Sequence, residues 1–421
     1  MHHRVKSNMI SSFYEKIVGG SPPPADPNEP KILCIGNPCL DIVHVCKHYP
    51  VEDSDERCQE YRWQRGGNAC NNCTVLSKLG TPTEFLGILG TGHYNWDFLK
   101  DDMRKHEIDF SHCPVLEGVE CPISTVILTA NTGSRTILHY NSNSPDLKLE
   151  DLEKLDLKRY SWIHFEGRNV PRVLSMMQYL ESYNNGIKNP ENNPSDDGEK
   201  MEKMTITISV ELEKKNIDLL DLLPYADVAF ISRDFAESRG YSNMGETLKN
   251  MGRDVKSGAV IVCAWGDRGA MAKTPNGTIV QSPAFSPPEV VDTLGAGDTF
   301  TAATLHYLNM VKISRRKIQA ARTSEISEQR TATEEASCAV PTNLASSLAE
   351  GRIKSELPHR RVTQNSNIES LEFSRTEFID RRVLQGAVTF ACRVAGSKVG
   401  SRGYDAVSRA PEDLLSSSVA R

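Results

Sequence analysis

A nine-residue segment, Asp292–Phe300 (DTLGAGDTF), combines the features of an anion site with a built-in proton acceptor. The residues that follow, Thr299–Asn309, have a helical pattern, so the segment lies at a helix N-terminus. The glycines of Gly295–Gly297 allow a tight turn that directs backbone N–H groups outward, where the helix dipole favours an anion. Asp298 would repel a bound phosphate but could accept a proton from an attacking hydroxyl. The segment therefore predicts phosphoryl transfer; a helix-capping aspartate in an ordinary turn is the alternative.

A second group of polar residues has the chemistry needed to bind sugar hydroxyls. Gly67 precedes a predicted helix and allows a ligand to approach the backbone closely. Asn68 and Asn71 are three residues apart and can share a helix face, and their amides both donate and accept hydrogen bonds. Asp41 lies among apolar neighbours and needs hydrogen-bond partners, which sugar hydroxyls would supply. The alternatives are a helix cap for Asn68 and a structural role for Asp41.

The composition of the 421 residues narrows the class of protein. Hydrophobic residues make up 38% of the chain, enough for a sizeable core, and the net charge of −6 does not indicate a nucleic-acid partner. No apolar run predicts a membrane span, and residues 1–30 lack the apolar core of a secretory signal, so we expect a cytoplasmic protein. The sequence has no P-loop motif, which excludes a P-loop nucleotide-binding protein. Its partial dinucleotide fingerprint lacks the third glycine, which argues against a Rossmann oxidoreductase. A lone C-x-x-C pair, Cys70 and Cys73, lacks the second pair that such a zinc site needs.

Short apolar runs alternate with longer amphipathic segments along the chain. This alternation predicts an α/β fold in which a mostly parallel sheet is covered by helices on both faces. Strands are predicted at Lys31–Gly36, Glu84–Leu86, Trp162–Phe165, Thr205–Val210, Ala226–Ile231 and Ala259–Trp265. Helices are predicted at Ala69–Leu79, Trp96–His106, Pro171–Tyr183, Asn216–Leu223 and Val383–Lys398.

Other segments break this alternation. Ser124–Leu128 and Arg135–His139 flank a turn and are predicted to form a hairpin, and Gln59–Gln64 alternates as a strand does. Together they predict a small antiparallel sheet outside the main one, either a lid over a ligand or an ordinary edge hairpin. Asn184–Lys203 is predicted to be an exposed loop, and the Ser-, Thr-, Arg- and Glu-rich residues 314–374 are predicted to be largely disordered.

The nonapeptide and the glycine–asparagine element resemble the motifs of the PfkB, or ribokinase-like, carbohydrate kinases. The resemblance implies a three-layer α/β/α domain with a small β-sheet lid. It implies that Asp298 is the catalytic base and that the backbone amides of Gly295, Ala296 and Gly297 form the anion hole. It further implies sugar contacts from Asp41, Gly67, Asn68, Asn71 and Asp298, and nucleotide contacts from Arg135, Gly266, Asp267, Arg268, Gly269 and the anion hole with Asp298.

The resemblance also divides the chain into segments. Residues 31–312 and 384–405 would form the kinase domain, with the lid strands within about residues 41–65 and 122–141. Residues 1–30 would be a disordered N-terminal extension, 313–383 a largely disordered insertion, and 406–421 a tail.

Within the family, the resemblance is greatest to the branch that phosphorylates D-fructose. That branch implies transfer of a phosphoryl group from ATP to O1 of D-fructose, with Mg²⁺ and K⁺ as cofactors and a homodimer formed through the lid. Ser232–Phe235 occupies the place of the Asn-x-x-Glu element that many relatives use around Mg²⁺, so no metal ligands are assigned. The alternatives are a kinase for another sugar or nucleoside, such as ribose or adenosine, and a sugar-binding protein whose catalysis is impaired by the 313–383 insertion.

Overall fold

Most of the described residues surround one large sheet. The structure, a computed structural model, describes residues 29–92, 95–188, 204–338 and 375–409. Its strands are β1 (Lys31–Ile35), β2 (Cys39–Cys46), β3 (Glu60–Gly66), β4 (Thr83–Leu86), β5 (Leu89–Gly90), β6 (Val115–Leu116), β7 (Ile123–Thr129), β8 (Ser134–Tyr140), β9 (Tyr160–Glu166), β10 (Thr207–Leu212), β11 (Val228–Ser232), β12 (Val260–Ala264), β13 (Ala270–Lys273) and β14 (Ile279–Ser282). Its α-helices are α1 (Asn68–Lys78), α2 (Asn95–Lys105), α3 (Leu149–Glu153), α4 (Val170–Lys188), α5 (Arg233–Ser238), α6 (Met244–Met251), α7 (Ala296–Cys338) and α8 (Arg381–Val399).

The main sheet has the strand order β14-β13-β12-β11-β10-β9-β1-β4. The six strands from β4 to β12 in this order are parallel, whereas β13 and β14 are antiparallel. Both faces are buried: Ile32 and Cys34 of β1 belong to one hydrophobic core, and Leu33 and Ile35 belong to another. The first core includes residues of α1, α2, α7 and α8, and the second includes residues of α3 to α6. This three-layer α/β/α arrangement confirms the predicted fold.

A smaller four-stranded sheet has the order β3-β2-β7-β8. It contains the predicted hairpin, β7 and β8, and the predicted alternating strand, β3. β2 pairs with β7 in parallel, so the sheet is mixed rather than wholly antiparallel. Asp41 lies inside β2. We call this sheet the lid sheet below.

The helix that begins at the anion segment is longer than predicted. α7 continues past Asn309 to Cys338, so residues 314–338, predicted to be disordered, are helical in the structure. Their Glu, Gln, Arg and Ala residues favour helix even though they offer little apolar surface. The chain divides into two compact units, residues 1–313 with 374–421, and residues 314–373. The predictions for residues 1–28, 339–374 and 410–421 fall outside the described residues.

The main unit resumes earlier than residue 384. The Arg375 guanidinium contacts both carboxylate oxygens of Glu181 at 2.6 and 2.8 Å and the Asp227 carboxylate at 3.1 Å. Arg375 resembles part of a solvated segment in the sequence because its partners Glu181 and Asp227 are more than a hundred positions away. Elsewhere, the predicted loop at Asn184–Lys203 begins as the end of α4, and its residues 189–203 are not described. The helix predicted at Asn216–Leu223 is a 3₁₀-helix, Ile217–Tyr225. Among the described helices, none has the length and apolar character that crossing a membrane requires.

Candidate active site

The sequence-predicted base and one predicted sugar ligand meet directly. Asp298 lies in the first turn of α7, and the Asn71 side-chain amide donates to its Oδ2 atom at 2.7 Å. The Asn71 side-chain oxygen is buried and has no hydrogen-bond partner. One turn earlier in α1, the Asn68 amide donates to the Glu213 carboxylate at 2.8 Å. The start of α1 therefore presents both asparagines to the end of the sheet where α7 begins.

The anion loop, Thr293–Gly297, depends on a glycine that no other residue can replace easily. Gly295 has φ +77, and a Cβ atom there would lie 2.2 Å from the Tyr404 hydroxyl oxygen. The Ala296 N–H donates to the Thr293 carbonyl at 3.2 Å, so this amide is already engaged. Within the described part of the chain, the N–H groups of Gly295 and Gly297 have no acceptor, and Gly297 is exposed. These two amides are available to an anion, whereas Ala296 would have to exchange partners.

Asp292 holds the loop to the rest of the domain. Its Oδ1 atom accepts the Leu294 N–H at 2.9 Å, and its Oδ2 atom accepts the Gly403 N–H at 3.1 Å. The Arg62 guanidinium of the lid sheet also donates to Oδ2, at 3.2 Å. Asp292 thus joins the anion loop, the lid sheet and the C-terminal segment of the main unit.

A fully buried lysine completes this arrangement and was given no role from the sequence. The Lys398 ammonium, at 0% exposure near the end of α8, donates to the Asp292 carbonyl at 2.8 Å and lies 3.4 Å from its carboxylate. Burial lowers the pKa of Lys398 to about 8, and the Asp292 charge opposes this effect. The sequence resemblance implied K⁺ near the anion hole. Here the Lys398 ammonium contacts both the carbonyl and the carboxylate of Asp292, and we assign no residue and no step to K⁺.

The lid sheet places Asp41 next to the glycine pair. Asp41 is 8% exposed, and a Cβ atom on Gly66 would lie 2.3 Å from its carboxylate. Gly67 has φ +94, and a Cβ atom there would lie 2.1 Å from the Asn37 carbonyl, so the backbone packs closely at this point. Burial raises the pKa of Asp41 to about 6, although hydrogen bonds from Ser124 and Cys39 oppose the rise.

Arg135 lies on the face of the lid sheet that covers the anion loop. It pairs with Leu128, and Leu128 packs with Val43 and Val126 against Leu294 of the loop. The Thr293 hydroxyl donates to the Gly133 carbonyl at 3.2 Å, which fastens the hairpin turn to the same loop. Arg135 is exposed on this face, and its predicted contact with the nucleotide stays a prediction.

Three carboxylates beside Asp298 were missed in the sequence. Glu166 ends β9, Glu211 pairs with it in the register of β10, and Glu213 follows two residues later. Burial raises the pKa of Asp298 well above its usual value, and the negative charges of Glu211, Glu213 and Glu166 add to the rise, which the Asn71 hydrogen bond opposes. The sequence did contain a pattern that could have identified two of them, because Glu211 and Glu213 directly follow the predicted strand Thr205–Val210.

The predicted nucleotide loop lies further along the sheet. Gly266–Arg268 forms a 3₁₀ turn after β12, and Gly269 has φ +80. β12 is two strands from β10, which corresponds to about 10 Å at the usual strand spacing. Among the described residues, no hydrogen bond joins this loop to Asp298. The predicted site residues therefore form two groups. One lies around Asp298, and the other is the turn after β12, which an extended ligand bound near Asp298 could reach.

The chain matches one recognised class of enzyme. Residues 29–333 match the pfkB family carbohydrate kinases, and the chain belongs to this family of enzymes. It is similar to ketohexokinase from Mus musculus, with 43% identity over 281 residues that cover 67% of this chain and 90% of the mouse protein. The predicted resemblance to ketohexokinases and the prediction of a carbohydrate kinase are confirmed.

Solved structures support the fold independently. Ribokinase from Giardia lamblia superposes with a TM-score of 0.64 at 14% identity, covering 92% of this chain and 99% of the ribokinase. Adenosine kinase from Sinorhizobium meliloti superposes with a TM-score of 0.57 at 16% identity, covering 91% and 99%. At such low identities these matches establish the shared ribokinase-like fold and leave the substrate open.

Proposed function

We propose that this enzyme transfers the γ-phosphoryl group of ATP to O1 of D-fructose, giving fructose 1-phosphate and ADP. The observation that carries the chemistry is the position of Asp298, hydrogen-bonded by Asn71 and one residue beyond the free Gly297 amide. The 43% identity to mouse ketohexokinase supports a ketohexose rather than ribose or adenosine as acceptor.

The proposed reaction is an in-line displacement. Asp298 accepts the proton of the C1 hydroxyl as O1 attacks the γ-phosphorus, and the bond from that phosphorus to the bridging oxygen of ADP breaks. The N–H groups of Gly295 and Gly297 and the Arg135 guanidinium stabilise the charge on the transferring oxygens. Ala296 contributes its amide if its bond to Thr293 opens. Mg²⁺ bound with the nucleotide would neutralise part of the phosphate charge.

Fructose would lie between the lid sheet and the start of α1. The Asp41 carboxylate would accept hydrogen bonds from sugar hydroxyls, and the Asn68 and Asn71 side chains would contact others. Gly67 would contact the sugar through its backbone, and a side chain at this position would collide with the Asn37 carbonyl. The nucleotide would extend from Gly297 towards the turn after β12, where Gly266, Asp267, Arg268 and Gly269 would contact it.

Sugar affinity should depend on pH through Asp41. The carboxyl group has its pKa raised to about 6, so below that pH it is protonated and loses its capacity to accept strong hydrogen bonds. We expect the KM for fructose to rise as pH falls from 7 to 5. Initial-rate measurements at constant ionic strength test this, and in Asp41→Asn the KM should be high and nearly independent of pH. A wild-type KM that stays flat across this range would remove Asp41 from the sugar site.

The outer face of the lid sheet supports the proposed homodimer. Its exposed side chains include Leu138 at 58%, Tyr140 at 63% and Tyr61 at 54%. Strand alternation places them on the face opposite Arg135, away from the anion loop. An apolar face of this kind is typical of a protein–protein interface.

Loss of this face should produce a monomer. Leu138→Asp would place a charge at the centre of the interface, and we expect sedimentation to show a monomer where the wild type is a dimer. Asp221→Asn, an exposed position far from the lid sheet in sequence, serves as the control. A wild-type monomer, or an unaltered dimer in the variant, would contradict the proposed interface.

The substrate assignment has a direct test. The purified full-length protein should release ADP from ATP when D-fructose is added with Mg²⁺ and K⁺, and much less with ribose, adenosine or no acceptor. Product analysis by ³¹P and ¹³C NMR should place the phosphate on O1. A preference for ribose or adenosine would assign a different acceptor, and activity with none of them would favour the sugar-binding alternative.

A further inference from the structure

Three polar side chains, Asp41, Ser124 and His139, form a row that crosses the lid sheet from β2 to its edge strand β8. Ser124 pairs with Asp41 in the parallel β2–β7 register and with His139 in the antiparallel β7–β8 register. Partners in register project from the same face of a sheet, so the three side chains lie side by side. His139 is four residues from Arg135 on one strand, so this polar row lies on the face that covers the anion loop.

The hydrogen bonds along the polar row have a defined direction. The buried Ser124 hydroxyl lies 3.1 Å from His139 Nδ1 and also bonds the Asp41 carboxylate. An ionised carboxylate only accepts hydrogen bonds, so the hydroxyl hydrogen points to Asp41 and the Ser124 oxygen accepts from the Nδ1–H group. This arrangement fixes the tautomer of His139 and connects the exposed edge of the sheet to Asp41 through a single hydroxyl.

The groups that face His139 keep its ring neutral. Partial burial lowers the pKa of His139 from its usual value. The positive charges of Arg168 and Lys214 lower it further, and the negative charge of Glu166 opposes them. At pH 7 the ring therefore donates to Ser124 as an uncharged group.

The groups that face Asp41 leave Ser124 with a specific effect. Burial raises the pKa of Asp41 to about 6, and the hydrogen bonds from Ser124 and Cys39 and the charge of Arg65 oppose the rise. The Cys39 thiol and the Tyr404 hydroxyl, the other titratable groups near this carboxylate, stay uncharged because burial raises the pKa of each. Without the Ser124 bond, a large fraction of the Asp41 carboxyl groups would be protonated near neutral pH.

We propose that Ser124 and His139 are positioning residues that hold the Asp41 carboxylate ionised and oriented toward the acceptor sugar, an inference that rests on the proposed function. His139 orients the Ser124 hydroxyl, and Ser124 bonds the carboxylate from the β7 side. From the β3 side, the backbone of Gly66 packs against the same carboxylate, because a Cβ atom there would lie 2.3 Å from its Oδ2 atom. Asp41 is thus held from both neighbouring strands.

The first test follows the ionisation of Asp41 without turnover. NMR spectra of the full-length protein with ¹³C-labelled aspartate carboxyl groups, assigned with Asp41→Asn, give the pKa of Asp41. We expect this pKa to rise from about 6 to about 7 in Ser124→Ala, because a hydrogen bond to a charged group is lost. His139→Leu should change it in the same direction, and His139→Asn, whose amide can donate from the Nδ1 position, should restore it. His48→Leu, at an exposed position beyond β2, is the matched control.

The second test measures the consequence for the sugar. At pH 7 the KM for D-fructose should rise about twofold or more in Ser124→Ala, because about half of the Asp41 carboxyl groups would then be protonated. The pH at which KM rises should move upward with the pKa of Asp41, whereas kcat at saturating fructose should be unchanged. A merely structural role would lower the melting temperature without this change in the pH profile. His139→Leu lies at an exposed edge position and therefore tests the polar row even if Ser124→Ala folds poorly.

The outcomes separate this proposal from the substrate assignment. An Asp41 pKa that keeps its wild-type value in both Ser124→Ala and His139→Leu would overturn the proposal, whichever acceptor is phosphorylated. A changed pKa with an unchanged KM, in an enzyme that phosphorylates fructose, would also overturn it. A changed pKa in a protein that phosphorylates a different sugar, with a raised KM for that sugar, would support the polar row and reject D-fructose as acceptor.

Discussion

Asp298→Asn should lower turnover about a hundredfold or more while fructose still binds. The substitution removes the carboxylate that would accept the proton of the C1 hydroxyl. The amide is nearly isosteric, and its oxygen can still accept the Asn71 hydrogen bond seen at 2.7 Å. The anion loop precedes this residue and keeps its supports at Asp292, so the fold should be unaffected. Initial rates of ADP release and calorimetric titration with fructose measure the two effects separately.

The pattern of losses distinguishes a base from a structural residue. In the base mechanism, the catalytic rate falls and the dissociation constant for fructose changes little. If Asp298 merely stabilised the start of α7, the melting temperature would fall and turnover at low temperature would remain. Asp221→Asn, an exposed change of the same type, controls for the loss of one negative charge. Unchanged turnover in Asp298→Asn would remove the proposed mechanism.

The sequence could predict the layers of the fold and the local motifs of the site. Apolar runs of three to seven residues marked the buried strands, and glycines next to helix starts marked both the anion loop and Gly67. These signals are local, because a strand or a turn is determined by neighbouring residues. The family resemblance then brought Asp41, Asn71 and Asp298 together, although Asn71 and Asp298 are 227 positions apart and no local pattern connects them.

The residues that were missed depend on contacts between distant segments. Glu166 and Glu211 become neighbours only because β9 and β10 pair in one register. Arg375 resembled part of a solvated segment until its partners Glu181 and Asp227 were placed. Lys398 resembled the charged end of an amphipathic helix, and only the packing of α8 against the anion loop buries it. Charged side chains are the hardest to interpret in a sequence, because the same residue type serves a solvated surface and a buried pair.

Lys398→Met should destabilise the enzyme by about 3 kcal/mol and also lower turnover. The substitution keeps the length of the side chain but removes the charge that holds both the carbonyl and the carboxylate of Asp292. The expected loss of unfolding free energy is at the lower end of the range for a broken buried ion pair. The reason is that Arg62 and two backbone N–H groups still donate hydrogen bonds to the Asp292 carboxylate. The anion loop should then move relative to Asp298, so the catalytic rate should fall more than the fructose affinity. Urea unfolding and initial rates measure these effects.

A double-mutant cycle tests whether the two residues act as a pair. With Asp292→Asn added to Lys398→Met, no uncompensated charge remains, so the double variant should be more stable than the sum of the single losses predicts. Lys78→Met, which removes a lysine 3.9 Å from the largely exposed Asp405 carboxylate, should change stability by less than about 1 kcal/mol and leave turnover intact. Additive losses in the cycle would mean that Lys398 stabilises α8 alone. Coupled losses in stability and turnover would mean that one buried ammonium fixes the anion loop in the position that phosphoryl transfer requires.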